Sequence, residues 1–256
     1  MGLKIISWNV NGIRAIEKKG FIDWWERENP DILCLQETKA SEEQIPKAVQ
    51  EREAYLKYYS TAEKKGYSGV ATYSREKPIS VARGFGNPGF DSEGRILITE
   101  HESFYLFNIY YPNGKASSER LRYKMKFYDA FLSYADDLRQ KGKHLIICGD
   151  FNTAHTELDL ARPRENEKTS GFLPEERAWI DTFISHGYID AFRMFTEEGG
   201  HYSWWDYKTR ARERNIGWRI DYFFVSASLD GKVVASRILK EIEGSDHCPV
   251  TLEINI

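Results

Sequence analysis

Residues 145–152 read Leu-Ile-Ile-Cys-Gly-Asp-Phe-Asn. An apolar run that stops on a glycine and then presents Asp150-x-Asn152 predicts a buried strand with two polar groups at the rim of a sheet. Period-2 alternation would put both on the same side of the backbone. The carboxylate can accept a proton, and the amide can orient a water or an oxyanion. Taken alone the pair also reads as ordinary turn chemistry, because Asp and Asn often end strands. Three other runs change that balance. Residues 3–8 lead to Asn9 and Asn11, residues 31–35 end on Gln36-Glu37, and Asp246-His247 stands just before the alternating run 249–254. Asp221 interrupts a further apolar run, 218–225. Carboxylates in hydrophobic surroundings are costly unless paired or metal-bound, so several at strand ends predict one shared polar site.

The elements that must carry these groups are mixed irregularly. Leu121, Met125, Tyr128, Leu132 and Ala135 recur at helical spacing and predict a helix over 118–140, capped by Ser117 or Ser118 and stopped at Gly142. A second helix should begin at Pro174-Glu175-Glu176 and bury Trp179, Ile180, Phe183 and Ile184 before Gly187. A third is expected over 15–28. Strands are expected over 70–74, 95–100, 104–110, 145–148, 220–225 and 233–239. Strands outnumber helices and do not strictly alternate with them, which points to two packed sheets with outer helices.

At 256 residues, with 41% hydrophobic and 29% charged side chains, the chain fits one α/β domain over 1–256 and is not of disordered composition. No apolar run is long enough to span a bilayer, and no basic-then-apolar leader opens the chain. Cys34, Cys148 and Cys248 lie in or beside apolar runs and read as buried reduced thiols of an intracellular protein. The expected location is the cytoplasm, at the nucleoid in a prokaryote. Net charge is −3, but segment 206–219 holds Lys208, Arg210, Arg212, Arg214 and Arg219 against Asp206 and Glu213, with Tyr207 and Trp218 among them. A basic, aromatic-interleaved surface is a footprint of phosphate-backbone contact.

Seven segments in order (6–12, 35–39, 66–70, 108–113, 149–152, 215–222 and 244–249) resemble the exonuclease III family of abasic-site endonucleases, within the endonuclease/exonuclease/phosphatase superfamily. The resemblance covers essentially the whole chain. It implies a DNase I-like four-layer α/β/β/α sandwich with the active site at one end between the sheets. It implies Mg²⁺-dependent hydrolysis of the phosphodiester 5′ to an abasic site in double-stranded DNA by a monomer, with Mn²⁺ as an acceptable substitute. Accompanying 3′→5′ exonuclease or 3′-repair activity is left open.

By the same resemblance Glu37 is the first-choice metal ligand, with Asn9 and Asp246 beside it and Asp150, Asn152 and His247 within reach of the ion. Asp150 activates or positions the attacking water, Asn152 helps to hold it, His247 sits on the scissile phosphate, and Asp221 orients the imidazole. Which of Asp150 and His247 takes the proton stays open. Tyr110 carries over as a phosphate-side or leaving-group-side hydroxyl. Trp204, Trp218 and Ile220 match the pocket for the extruded sugar. Arg14, Lys18, Tyr67, Arg95, Arg120, Tyr123, Lys124 and Lys208 match DNA-contacting positions. Asn166 matches an asparagine near the flipped nucleotide, whereas Thr169 replaces a second one, leaving damaged-base nucleotides as further candidate substrates.

Three other readings compete. A Ser-His-Asp hydrolase would need a G-x-S-x-G elbow, and Gly66-Tyr67-Ser68-Gly69 lacks that spacing. A superfamily phosphatase would carry different residues at 204–219, and a binding protein without catalysis should have lost one of Glu37, Asp150, Asn152, Asp221 or His247.

Overall fold

The computed structural model describes residues 2–256. Its strands are β1 (Gly2–Asn9), β2 (Ile32–Gln36), β3 (Leu56–Ser60), β4 (Val70–Ser74), β5 (Ser80–Ala82), β6 (Ile96–Glu100) and β7 (Tyr105–Tyr110). Then follow β8 (Leu145–Asp150), β9 (Tyr188–Asp190), β10 (Trp204–Trp205), β11 (Gly217–Trp218), β12 (Asp221–Ser226), β13 (Val233–Ile238) and β14 (Val250–Asn255). Two six-stranded sheets run β13-β14-β1-β2-β4-β3 and β5-β6-β7-β8-β12-β9, and β10-β11 form a small ribbon. Both large sheets are mixed, because β1–β2 and β7–β8 are parallel pairs among antiparallel neighbours.

Alternation sorts the strand side chains into layers. Ile5, Cys34, Ile146, Cys148, Phe223, Val225 and Leu252 fill the space between the sheets. Ile6, Trp8, Leu33 and Leu35 point outward to the helices Ile13–Glu17 and Phe21–Glu28, where Trp24 and Trp25 cover them. On the other side Phe107, Ile109, Ile147 and Phe224 pack against Phe127, Phe131, Trp179 and Phe183 from the helices Ser118–Gln140 and Pro174–Ser185. The chain is thus the four-layer α/β/β/α sandwich expected of it, and all three cysteines are free and buried.

Local chemistry sets the boundaries. Ser117 caps the long helix by accepting from the Arg120 amide at 3.1 Å, as its position suggests. The single helix expected over 15–28 is instead two, because Gly20 adopts φ 80° and breaks the first before Phe21 starts the second. Ile184, expected inside, is exposed, one position beyond the face that Phe183 buries. Among the described residues no helix is long and apolar enough to cross a membrane.

Candidate active site

The sheet edges converge at one end of the sandwich. β1 ends on Asn9, β2 leads directly into Glu37, β8 ends on Asp150, β12 begins on Asp221, and Asp246-His247 precede β14. β8 and β12 are antiparallel with Asp150 opposite Asp221, which brings two carboxylates from different runs side by side. Asn9, fully buried, donates through Nδ2 to Glu37 Oε1 and Asp150 Oδ2, each at 2.9 Å. One amide therefore joins acids from both sheets.

The Asp150–Asn152 pair is real but is not produced by strand alternation. The strand stops at Asp150 and Asn152 takes φ 53°, a left-handed turn that Asn tolerates. The turn folds Asn152 back, so that its backbone N–H donates to Asp150 Oδ1 at 2.7 Å and its Nδ2 lies 3.3 Å from Oδ2. Asn113 Nδ2 donates to the side-chain Oδ1 of Asn152 at 2.9 Å. Just upstream, Gly149 has φ 136°, and a Cβ there would lie 1.8 Å from the Ile109 carbonyl oxygen. Only glycine lets β7 and β8 close beneath Asp150.

His247 is oriented from behind. Its Nδ1 lies 2.8 Å from Asp221 Oδ2, which also accepts from Ser203 Oγ at 2.6 Å. Its Nε2 points to Asp150 Oδ2 at 3.8 Å. Burial would lower the imidazole pKa, but Asp221 and then Asp150 outweigh it and raise the value to about 10. Asp150 moves the other way for an acid: burial, with Asp221 and Glu37 nearby, raises it to about 7 despite the attraction of His247. Glu37 stays below the usual range because Lys39, 2.8 Å away, and the Asn9 amide together outweigh its burial. Tyr110 is pushed well above the tyrosine range by burial and then by Glu37, so its hydroxyl keeps its proton.

Glu37, Asp150 and His247 offer ligand atoms that all lie within 4.8 Å of one another, the one such group among the described residues. Two carboxylate oxygens with a surplus of negative charge around them suit a hard divalent cation, and the donor set fits one. Asp246 stands outside this group. It takes the Trp204 indole N–H at 3.0 Å and the Asn11 amide at 2.9 Å, and so belongs to the wall of the site.

These groups line a cleft of about 210 Å³ together with Tyr110, Asn113, Lys115, Asn152, Ser170, Gly171, Trp204, Trp218 and Ile220. Lys115 has no counterpart in the sequence reading, yet its ammonium lies over the Trp204 and Trp218 rings at 5.3 and 5.6 Å. No local pattern in the sequence singles it out.

The proposed DNA-contacting set divides. Arg14, Lys18 and Lys208 are exposed. Tyr67, Arg95, Arg120 and Tyr123 gather around Glu93, which pairs with Arg95 at 2.5 Å and with Arg120 at 2.5 and 2.6 Å. Arg120 also donates to the Tyr67 hydroxyl and stacks on Tyr123. Burial opposes it, but the two arginines hold Glu93 down at about 2. Arg95 is corrected from a DNA contact to an internal support, since it is 1% exposed.

Lys124 is corrected likewise. It is fully buried and donates to Glu176 at 2.6 Å, Thr153 Oγ1 at 2.7 Å and the Asn152 carbonyl at 2.8 Å. Asn166 turns its amide to the Arg162 carbonyl at 2.8 Å and does not line the cleft. Within 206–219, Arg219 is buried against acids and Arg212 donates to the carbonyls of Lys240 and Ile242, which leaves Lys208, Arg210 and Arg214 as the exposed cations.

The model of the Endonuclease/Exonuclease/phosphatase family matches residues 6–247. The exodeoxyribonuclease of Bacillus subtilis (strain 168) is 44% identical over 256 residues, spanning 99% of this chain and 100% of that protein. The DNA-(apurinic or apyrimidinic site) endonuclease of Dictyostelium discoideum is 40% identical over 258 residues, 99% of this chain and 71% of that protein. The solved structure of the 3′ phosphatase NExo from Neisseria, bound to product DNA hairpin, superposes with a TM-score of 0.91 at 29% identity, covering 99% of this chain and 100% of that one. With the match running from the first strand to His247 itself, the chain belongs to the Endonuclease/Exonuclease/phosphatase family and is a phosphodiester hydrolase of the exodeoxyribonuclease III type.

Proposed function

We propose that this chain is a DNA-repair nuclease that hydrolyses the phosphodiester 5′ to an abasic site in double-stranded DNA, with Mg²⁺ as its ion and Mn²⁺ as a substitute. It acts as a monomer through one catalytic domain over 1–256. The observation that carries this is Asp150, a buried carboxylate raised to about 7 between His247 and Glu37, at the floor of a cleft walled by Trp204 and Trp218.

Glu37, steadied by Asn9, would hold the ion, which would supply charge neutralisation for the phosphate and a lowered pKa for water. The chain's own groups do the rest. Asp150 takes a proton from the attacking water, since a base near neutral pKa is matched to that task, and Asn152 fixes the water's position. His247 keeps its proton, supported by Asp221, and donates from Nε2 to a non-bridging oxygen of the scissile phosphate. The neutral Tyr110 hydroxyl donates on the same side. Trp204, Trp218 and Ile220 enclose an extruded sugar that carries no base, a shape that excludes intact nucleotides. The exposed Lys208, Arg210 and Arg214 track the phosphate backbone. The named activities of the relatives support removal of 3′ nucleotides and 3′ blocking groups by the same site.

The test is a duplex with one tetrahydrofuran abasic analogue, end-labelled, incubated with protein and either Mg²⁺ or excess chelator. Incision immediately 5′ to the analogue, and only with metal, is expected. Equal cutting of the intact duplex, or full activity in chelator, would overturn the assignment.

A further inference from the structure

Beneath the cleft lies a group of charged side chains that the chemistry above does not use. Arg219 is 1% exposed and Asp159 is fully buried. The Arg219 guanidinium donates from Nε to Asp159 Oδ1 and from Nη2 to Asp190 Oδ2, each at 2.7 Å. Its backbone N–H donates to the Asp159 carbonyl, also at 2.7 Å. Its Cζ lies 4.4 Å from the Tyr222 ring centre and 5.4 Å from that of Phe192. Asp159 is further held by Arg193 and by the Thr156 N–H and hydroxyl.

The position of Arg219 in the chain gives this group its meaning. Trp218 and Ile220, on either side of it, both line the cleft, and Asp221 follows. In the link between β11 and β12 the Arg219 side chain turns away from the cleft, into the acids. Asp159 lies in the stretch that leaves the catalytic turn at Asn152, and its neighbour Leu160 bridges to Trp218. Asp190 ends β9, the edge strand beside β12. One side chain thus ties together the pocket wall, the segment after the catalytic turn and the sheet edge.

Stability alone does not call for this. Buried ion groups can often be replaced by apolar side chains of similar volume at no loss, or with a gain. What an arginine between two carboxylates adds is direction, because its planar fork matches only a narrow set of arrangements. We propose that Arg219, forked between Asp159 and Asp190, is a positioning residue that fixes the segment bearing Trp218 and Ile220, between β11 and β12, and so sets the preference for the abasic nucleotide. The proposal rests on the abasic-site reading for its substrate and adds the source of that substrate's selection.

Two variants test it, Arg219→Lys, which keeps the charge and loses the fork, and Asp190→Asn, which weakens one arm only. Both are assayed well below their own melting temperatures on matched abasic and intact duplexes. A misplacement of about 1 Å costs on the order of 10²-fold in rate. Arg219→Lys should therefore lower abasic incision by about that factor, and Asp190→Asn by less. Incision of intact duplex, which does not use the Trp218–Ile220 wall, should change little and its Kd should stay unchanged, so the abasic-to-intact incision ratio falls.

The second readout needs no substrate. In protein labelled with 5-fluorotryptophan, the ¹⁹F line of Trp218, assigned by its loss in Trp218→Phe, should shift in both variants while those of Trp24 and Trp25 stay put. Lower melting temperatures with an unchanged ratio and an unmoved Trp218 line would overturn the proposal. Should Arg219→Lys fail to fold, Asp190→Asn alone decides. Absence of incision by the unaltered protein would sink the abasic-site reading, and the ¹⁹F shifts would still decide whether Arg219 positions Trp218.

Discussion

Two groups of buried acids lie close together in this molecule and behave in opposite ways. Around Asp150, the carboxylates of Glu37, Asp221 and Asp246 meet Lys39 and His247, while Lys124 is taken up by Glu176 and Lys115 lies over the tryptophan rings; burial first, then Asp221 and Glu37, raise Asp150 to about 7. Around Arg219, Asp159 and Asp190 are matched by Arg193 and Arg219, and Asp159 is held well below the usual range, its burial outweighed first by Arg219 and then by Arg193. The residue types and the depth are similar. What differs is whether the fold supplies the opposing charge. The balanced group is inert and holds shape. The group left short of positive charge is the one that can take up a cation or a proton, and it is the one we propose as catalytic.

The comparison can be broken most decisively at its reactive member. Asp150→Asn should lower kcat by about 10²–10⁴-fold with duplex affinity nearly intact, because proton handling is lost and little binding is. Single-turnover rates beside a binding titration check this, and loss of affinity at preserved kcat would make Asp150 a mere contact.

The balanced group should answer in stability. Asp159→Asn leaves Arg219 buried and short of one partner, and should cost about 3–5 kcal/mol. Urea unfolding would show it as a lower midpoint at unchanged slope. A midpoint within error of the parent would mean the group holds nothing.

The third prediction turns on sign. A carboxyl whose folded pKa is raised lowers stability as pH climbs from its unfolded value, about 3.9, to its folded value, about 7. In chelator, Asp150→Asn should therefore be more stable than the parent at pH 8, by about 1–3 kcal/mol. The advantage should vanish near pH 4. Asp159 has the opposite sign: its contribution is complete above the unfolded pKa and is lost as pH falls through its depressed folded value. Melting temperatures of the parent and Asp150→Asn from pH 4 to 8 test the contrast, and parallel curves would contradict it.

The smallest effect is expected outside both groups. Lys208→Ala should reduce the slope of log affinity against log salt by about one and leave the abasic-to-intact incision ratio unchanged. A change in that ratio would give the exposed loop a share in selectivity.

Much of the site could be read in the sequence because it is built at strand ends. A polar residue at which an apolar run stops, or just after which one starts, marks a sheet rim whatever the topology, and Asn9, Glu37 and Asp150 announced themselves in the first way and His247 in the second. Lys124 and Arg95 misled for a physical reason. A cation in a DNA-binding segment looks the same whether it faces solvent or a buried acid, and the acids here, Glu176 and Glu93, are 52 and 2 residues away. Glu93 and Lys115 carried no local pattern at all. The break at Gly20 was legible in principle, since glycine's left-handed φ ends a helix, but apolar residues continuing at helical spacing on both sides concealed it. Asn152 was placed beside Asp150 for the wrong cause, pleat instead of turn, and the outcome coincided because the turn returns the amide to the carboxylate.

The site straddles a seam. Asn9 ends a strand of one sheet, Glu37 directly follows another strand of it and His247 shortly precedes a third, while Asp150 and Asp221 belong to the other sheet. The contacts that define it, Asn9 to Asp150 and His247 to Asp221, cross between them. Reactivity is therefore a gauge of how the two halves of the molecule are aligned. A slip of one strand residue, about 3.3 Å, would leave each sheet intact yet pull every one of those contacts apart. The apolar layer between the sheets, from Ile5 to Leu252, accordingly does more than keep water out. It is the bearing that holds two rigid plates in alignment, and its packing defects should be felt at the phosphate before they are felt in the fold.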